Sequence, residues 1–170
     1  MPRLGGSLPG KLHRMTTDAW DVLDARLIGL LRATPNLPVV EMARRLEVAR
    51  GTVQARLDRL VRDGIVVGFG PDIDAARAGF AVLAFTTLQI AQGSDTQILT
   101  GLAEIPEVLE VHAVTGPGDL HLRLVARSNE HLHSVLQRIL VLPGITRTET
   151  QLALHTPIER TVADLMANDG

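Results

Sequence analysis

The stretch VVEMARRLEVARGTVQARLDRLVRDG, residues 39–64, decides how this chain is read. Val39, Met42, Ala43 and Leu46 fall at helical spacing on one stripe, and Val53, Leu57, Leu60 and Val61 form a second. Glu47-Val48-Ala49-Arg50 between them leaves room only for a sharp turn, with Val48 set to plug the crossing. The small Ala43 lets the two helices approach closely. This is the pattern of a helix-turn-helix, whose second helix fits a DNA major groove. Arg50, Thr52 and Gln54 stand near the start of that helix, where base edges are met. Arginine pairs with guanine and glutamine with adenine. Arg56 and Arg59 lie farther along, where phosphate contact is more usual, and Arg44 and Arg45 on the preceding helix are further candidates for the DNA backbone.

Charge supports this locally. The 170 residues carry a formal net charge of -2, which alone argues against a polyanionic partner. Yet residues 44–62 hold six arginines and only two acids, Glu47 and Asp58. Local charge, rather than the total, attracts phosphate. There is no cysteine, so disulfides, thiolate metal sites and cysteine nucleophiles are all excluded. No segment has the apolar run of a membrane span, and a cytoplasmic location is expected. Residues 1–17 show no periodicity and are expected to be a disordered leader, with Lys11, His13 and Arg14 as a possible basic arm.

Outward from the helix pair, residues 18–74 read as one DNA-binding domain. A first helix covers 21–33, with Asp21 in the capping role. Asn36 is placed to cap the second helix, with Pro38 in its first turn, and Gly64 to end the third. Ile65-Val66-Val67 and the glycines and proline that follow read as a small wing.

Residues 75–79 are a linker, and 80–156 change character. Strands are expected over 80–90, 108–115, 120–127 and 145–155, and helices over 94–105 and 129–142, the first opened by a Ser94/Gln97 capping box. The order βαββαβ gives a four-stranded antiparallel sheet with both helices on one face, a ferredoxin-like arrangement. The fold class is therefore α+β: an N-terminal winged helix-turn-helix followed by a ferredoxin-like domain. Val111, Val125 and Ala153 are read as apolar residues on the alternate strand register, and such a face usually meets a partner, most simply a second copy. Residues 157–170 form a tail with one short amphipathic helix over 158–166.

The turn Thr115-Gly116-Pro117-Gly118-Asp119 is the second constellation. Two glycines permit backbone N–H groups to converge on a carboxylate, while Asp119 can pair with an ammonium. Those are the two ends of an α-amino acid. Glycine, proline and aspartate are also ordinary turn residues, so the residues alone favour a plain hairpin over a site.

LDARLIGLL (23–31), RLDRLVRDGIVVGF (56–69), EVLEVHAVTGPGDLHL (107–122) and LPGITRTET (142–150) together resemble the Lrp/AsnC, or feast/famine, family of transcriptional regulators. The resemblance runs over roughly residues 23–156. It implies a ligand-sensing second domain, binding to pseudo-palindromic double-stranded DNA, and homodimers assembling into octamers or similar rings. It also implies an effector site lined by Gly116, Gly118 and Asp119 and by Gln151, Leu152 and Ala153 on the last strand. An amino-acid effector is expected and no cofactor. Two residues depart from the family pattern: Ala49 stands where a capping serine is usual, and Glu47 where glycine is common.

Other classes fare worse. A sirohaem-decarboxylase-like enzyme on the same two-domain fold needs a basic pocket lined by histidines, whereas the histidines here are scattered and the arginine face is intact. RNA binding through the sheet needs stacking aromatics on the central strands, which 120–127 lacks. His131 and His133, two apart on a helix, diverge, and His112 with His121 gives only two ligands, so no metal site is expected.

Overall fold

The computed structural model describes residues 20–168, and these divide into two units. Residues 20–72 together with 158–168 form one; residues 73–157 form the other. The expected leader and its basic arm lie outside the described residues.

The first unit is built on α1 (Val22–Ala33), α2 (Val39–Leu46) and α3 (Arg50–Arg62). Leu27, Met42, Ala43, Leu46, Val53 and Leu60 form its buried core, with Leu23, Val48 and Leu57 packed around them. Both stripes of the 39–64 stretch therefore face inward except for Val61, which is exposed at the C-terminal end of α3. Burying each such leucine contributes roughly 1.5–3 kcal/mol. Gly64 takes φ +72° just past α3 and ends it as expected. Asn36 does not cap α2. Pro38 occupies the N-cap with extended backbone and no side-chain bond.

Residues 65–74, read as the wing, form no regular strand. Gly68, Gly70 and Pro71 interrupt the segment within a few residues of Ile65, so neither arm is long enough to pair. Ile65 and Val66 still pack against the core, and both backbone N–H groups donate to Leu60 O. A sixth helix, α6 (Val162–Asn168), completes this unit against α1. Met166 is buried, and Arg32 of α1 pairs with Asp164, which also caps the Thr161 N–H.

The second unit holds β1 (Val82–Ile90), α4 (Asp95–Ala103), β2 (Val108–Ala113), β3 (Leu120–Ala126), α5 (Asn129–Leu140) and β4 (Ile145–Leu152). The sheet order is β2-β3-β1-β4 and every pair is antiparallel, the ferredoxin-like arrangement. Period-two alternation puts Ala84, Leu88, Leu120, Leu122 and Leu124 on the helix-covered face, against Ile98, Leu102, Leu132, Val135 and Ile139. Thr86 is the polar exception on that face, and its hydroxyl is satisfied by Thr150 at 2.9 Å.

Two local expectations fail here. Ser94 precedes α4 but makes no capping bond, because its own backbone is already helical (φ -91°, ψ -2°) and the hydroxyl cannot turn back on the helix start. Val111 does not face the alternate side. The β2–β3 register shifts between Val108 and Glu110, which brings Val108 opposite Leu124 and Val111 opposite Leu122, both on the helix side.

Candidate nucleic-acid interface and effector loop

The turn between α2 and α3 is made by Glu47 in the left-handed region, at φ 58°. It is the only non-glycine residue with positive φ among the described residues. Ala49 then caps α3 with extended backbone and no side-chain acceptor. Both sequence departures thus sit where backbone geometry calls for the other residue.

Along α3, Gly51, Thr52, Gln54, Ala55, Asp58 and Arg62 are exposed, while Val53 and Leu60 are buried. Gly51 and Ala55 carry almost no side chain, so the helix backbone can sit deep in a groove. Arg50, at the first helical position, has no hydrogen-bond or ion-pair partner among the described residues. The Gln54 amide donates to Asp58 Oδ1 at 2.9 Å, one turn along, which orients it. Arg62 approaches Asp63 at 3.6 Å.

The other arginines are committed elsewhere. Arg44 and Arg45 share Glu41 at 2.7 and 3.0 Å, and hydrogen bonds from Arg44 first and Arg45 second pull the Glu41 pKa down to about 2. Both remain largely exposed. Arg56 and Arg59, expected on phosphate, instead turn back toward α1. Arg56 Nη1 meets Asp21 at 2.6 Å and Asp24 at 2.9 Å, and Arg59 Nη2 pairs with the other oxygen of Asp24. Sequence reading singled out the arginines and missed the acids that hold them. The signal was present: Asp21 and Asp24 are three apart on α1, Arg56 and Arg59 three apart on α3, and i,i+3 residues share a helix face.

In the second unit the hairpin turn after β2 is tied to β1. The Asp119 backbone N–H donates to Leu88 O at 2.9 Å, and its carboxylate Oδ2 accepts the Ile90 N–H at 2.8 Å. Gln89 Nε2 donates to Pro117 O at 2.6 Å. Gly116 takes φ +118° and is exposed, so it supplies the loop's reversed backbone. Gly118 is buried for a different reason: a Cβ there would overlap Thr87 Cγ2.

The other expected effector residues are not nearby. Leu152 pairs with Ala84 and Gln151 with Phe85, and Ala153 N–H donates to Leu83 O, whereas the turn is bonded to residues 88–90. Ala84 and Gln89 are five residue steps apart along β1, about 17 Å at ~3.3 Å per residue. Within one chain the two halves of the expected site occupy opposite ends of the sheet. Gln151 and Leu152 are exposed there.

The outer sheet face carries a polar lattice. Arg123 donates to Glu110 at 2.5 Å, His112 sits 3.2 Å from the same carboxylate, and His112 and His121 are register partners. The Phe85 and His121 rings stack at 5.8 Å. Hydrogen bonding from Arg123 outweighs burial and holds Glu110 below the ordinary carboxylate range. His131 accepts the Arg127 N–H through Nδ1 and meets Glu107 through Nε2, so both ring nitrogens are used. No group of three or more metal-ligating side chains occurs among the described residues.

Residues 21–67 match the winged helix-turn-helix DNA-binding profile, and residues 83–163 match the Lrp/AsnC ligand binding domain. An HTH-type transcriptional regulator of Pyrococcus abyssi is 30% identical over 133 residues, which is 78% of this chain and 84% of that protein. The chain belongs to the Lrp/AsnC family.

Among solved structures, Escherichia coli AsnC superposes with a TM-score of 0.78 at 25% identity, over 85% of this chain and 98% of that one. The Neisseria meningitidis regulator NMB0573, solved as its L-Met complex, gives 0.74 at 23% identity, over 85% and 95%. This Lrp/AsnC chain is thus a transcriptional regulator with a DNA-binding helix-turn-helix and a ligand-binding domain. No described helix is long and apolar enough to cross a membrane.

Proposed function

We propose that this regulator binds pseudo-palindromic double-stranded DNA through α3 and that an amino acid adjusts its occupancy by acting on its assembly. Arg50, Thr52 and Gln54 read bases, and Arg44 and Arg45 grip phosphate. The observation that carries the ligand half of this reading is the separation of Gly116–Asp119 from Gln151–Ala153. One copy offers each half at a different end of its sheet, so a second copy is needed to close the site. Effector binding then favours one arrangement of copies, homodimers joined into an octamer or similar ring, and can shift DNA binding only as far as it discriminates between arrangements. The ligand of the Neisseria protein is an amino acid, in keeping with the chemistry of the turn. The protein works in the cytoplasm without a cofactor and without catalytic turnover.

The test is selection of bound DNA fragments with and without a panel of amino acids, alongside light scattering of the protein under the same conditions. A pseudo-palindrome whose occupancy and whose oligomer mass change together with one amino acid is the expected result. Occupancy that changes while the assembly stays fixed would contradict a site completed between copies.

A further inference from the structure

Asp24 is fully buried, and its carboxylate lies against two arginine side chains. Oδ1 takes Arg56 and Oδ2 takes Arg59; Oδ2 also accepts the Asp21 N–H at 3.0 Å. Asp21 in return accepts the Asp24 N–H at 2.9 Å and meets Arg56 through both oxygens. The capping box of α1 and the clamp on α3 are therefore the same two carboxylates. An unpaired charge cannot stay in such a position, so Asp24 requires both arginines. Hydrogen bonds donated by Arg56 to Asp21 and then to Asp24 hold the guanidinium still more firmly protonated than usual, and Arg56 lowers the Asp21 carboxyl in turn.

Building on the DNA-binding reading above, we propose that Asp21 and Asp24 withhold Arg56 and Arg59 from phosphate. They are positioning residues that set the specificity of α3. Two of the four arginines on α3 are spent internally, leaving the Arg50 side chain without a partner among the described residues and Arg62 only loosely paired. The helix then binds DNA with fewer sequence-independent contacts and depends more on Arg50, Thr52 and Gln54. Sequestration lowers affinity for arbitrary DNA more than for the correct site, and so widens the ratio between them.

The experiment is the salt dependence of binding to a selected site and to a scrambled duplex. Each phosphate contact contributes about 0.9 to the slope of log K against log salt. For Arg56→Gln and Arg59→Gln the slope should stay at the wild-type value. For Asp24→Asn it should steepen by up to about 0.9 per freed arginine, with tighter binding to the scrambled duplex and a smaller specific-to-scrambled ratio. Because Asp24 is buried, Asp21→Asn is the companion variant: this half-exposed residue releases part of the hold on Arg56, and the slope should steepen by up to about 0.9. If Arg56→Gln or Arg59→Gln lowers the slope by about 0.9, that arginine touches phosphate in the complex and the inference is wrong. Aspartate variants that fold yet weaken both duplexes equally at unchanged slope would reduce the clamp to a stabilising role and overturn it as well. Wild-type protein that binds neither duplex would instead overturn the DNA-binding reading itself.

Discussion

The Asp119 carboxylate accepts the backbone N–H of Ile90 at 2.8 Å, at the point where the β1–β4 register shifts between Gln89 and Ile90. A residue expected to hold a ligand therefore also holds a strand. Substitution to alanine removes both roles, and the orphaned N–H costs about 1–3 kcal/mol where water cannot reach it. Asp119→Asn keeps an oxygen that can accept the Ile90 N–H and removes only the charge. We expect the Asn variant to unfold at nearly the wild-type urea midpoint while losing its response to the amino-acid effector. A normal response in a stable Asn variant would assign Asp119 to the hairpin alone.

Gly118 packs against the Thr87 methyl without a positive φ, so its need for glycine is one of space. Gly118→Ala should destabilise the second unit by about 1–3 kcal/mol through overpacking. Thr87→Ser removes the obstructing methyl yet keeps the hydroxyl that meets His121 Nδ1 at 3.2 Å. In a double-mutant cycle read by denaturant unfolding, Thr87→Ser should restore much of the loss. Additive effects would show that Thr87 is not the neighbour that matters.

Ala49 already has the extended backbone of a helix N-cap, at φ -65° and ψ 146°, but offers no acceptor. Ala49→Ser should stabilise the DNA-binding unit by about 1 kcal/mol, by accepting an N–H of the first turn of α3. Trp20, the single tryptophan, immediately precedes the α1 cap at Asp21, and its fluorescence should follow this unit selectively. A lower urea midpoint in the Ser variant would count against the capping geometry.

Acid should weaken the same unit. Asp21 and Glu41 both have folded pKa values below their ordinary 3.8 and 4.5, Glu41 at about 2. The unfolded chain then binds protons more readily than the folded one. Their stabilisation is complete above about 4.5 and is lost as pH falls through the folded values. Urea midpoints followed by Trp20 between pH 7 and pH 2 should drop below about pH 4.5, and the drop should be shallower in Glu41→Gln. An equal drop in that variant would show that the Arg44 and Arg45 pairs make no difference to folding.

The fold was legible because its determinants are periodic. Stripes such as Leu27, Met42, Leu46 and Leu60, or the alternation of Leu120, Leu122 and Leu124, state which face is buried before any contact is known. What failed were single-residue readings that turn on backbone angles. Ser94 has the side chain of a cap but a helical backbone, and Val111 has the alternation of an outer residue until a bulge shifts it. For the candidate site, composition placed arginines on the correct helix but could not say which way each turned. Arg50 and Arg56 both read as DNA contacts in one dimension, and the difference lies in two aspartates some thirty residues earlier that hold Arg56.

The placement of α6 has a consequence for how the protein is made. Residues 158–168 belong with α1, yet they are translated after the whole ferredoxin-like sheet. The helix-turn-helix can gather its three helices early, but its last packing surface arrives only when synthesis has passed β4. A product released before that point would carry a recognition helix on an incomplete body, with Arg32 lacking Asp164 and without Met166 to bury. The first unit is thus closed by segments that lie on either side of the ferredoxin-like sheet in sequence, so its stability depends on a stretch made after the second unit.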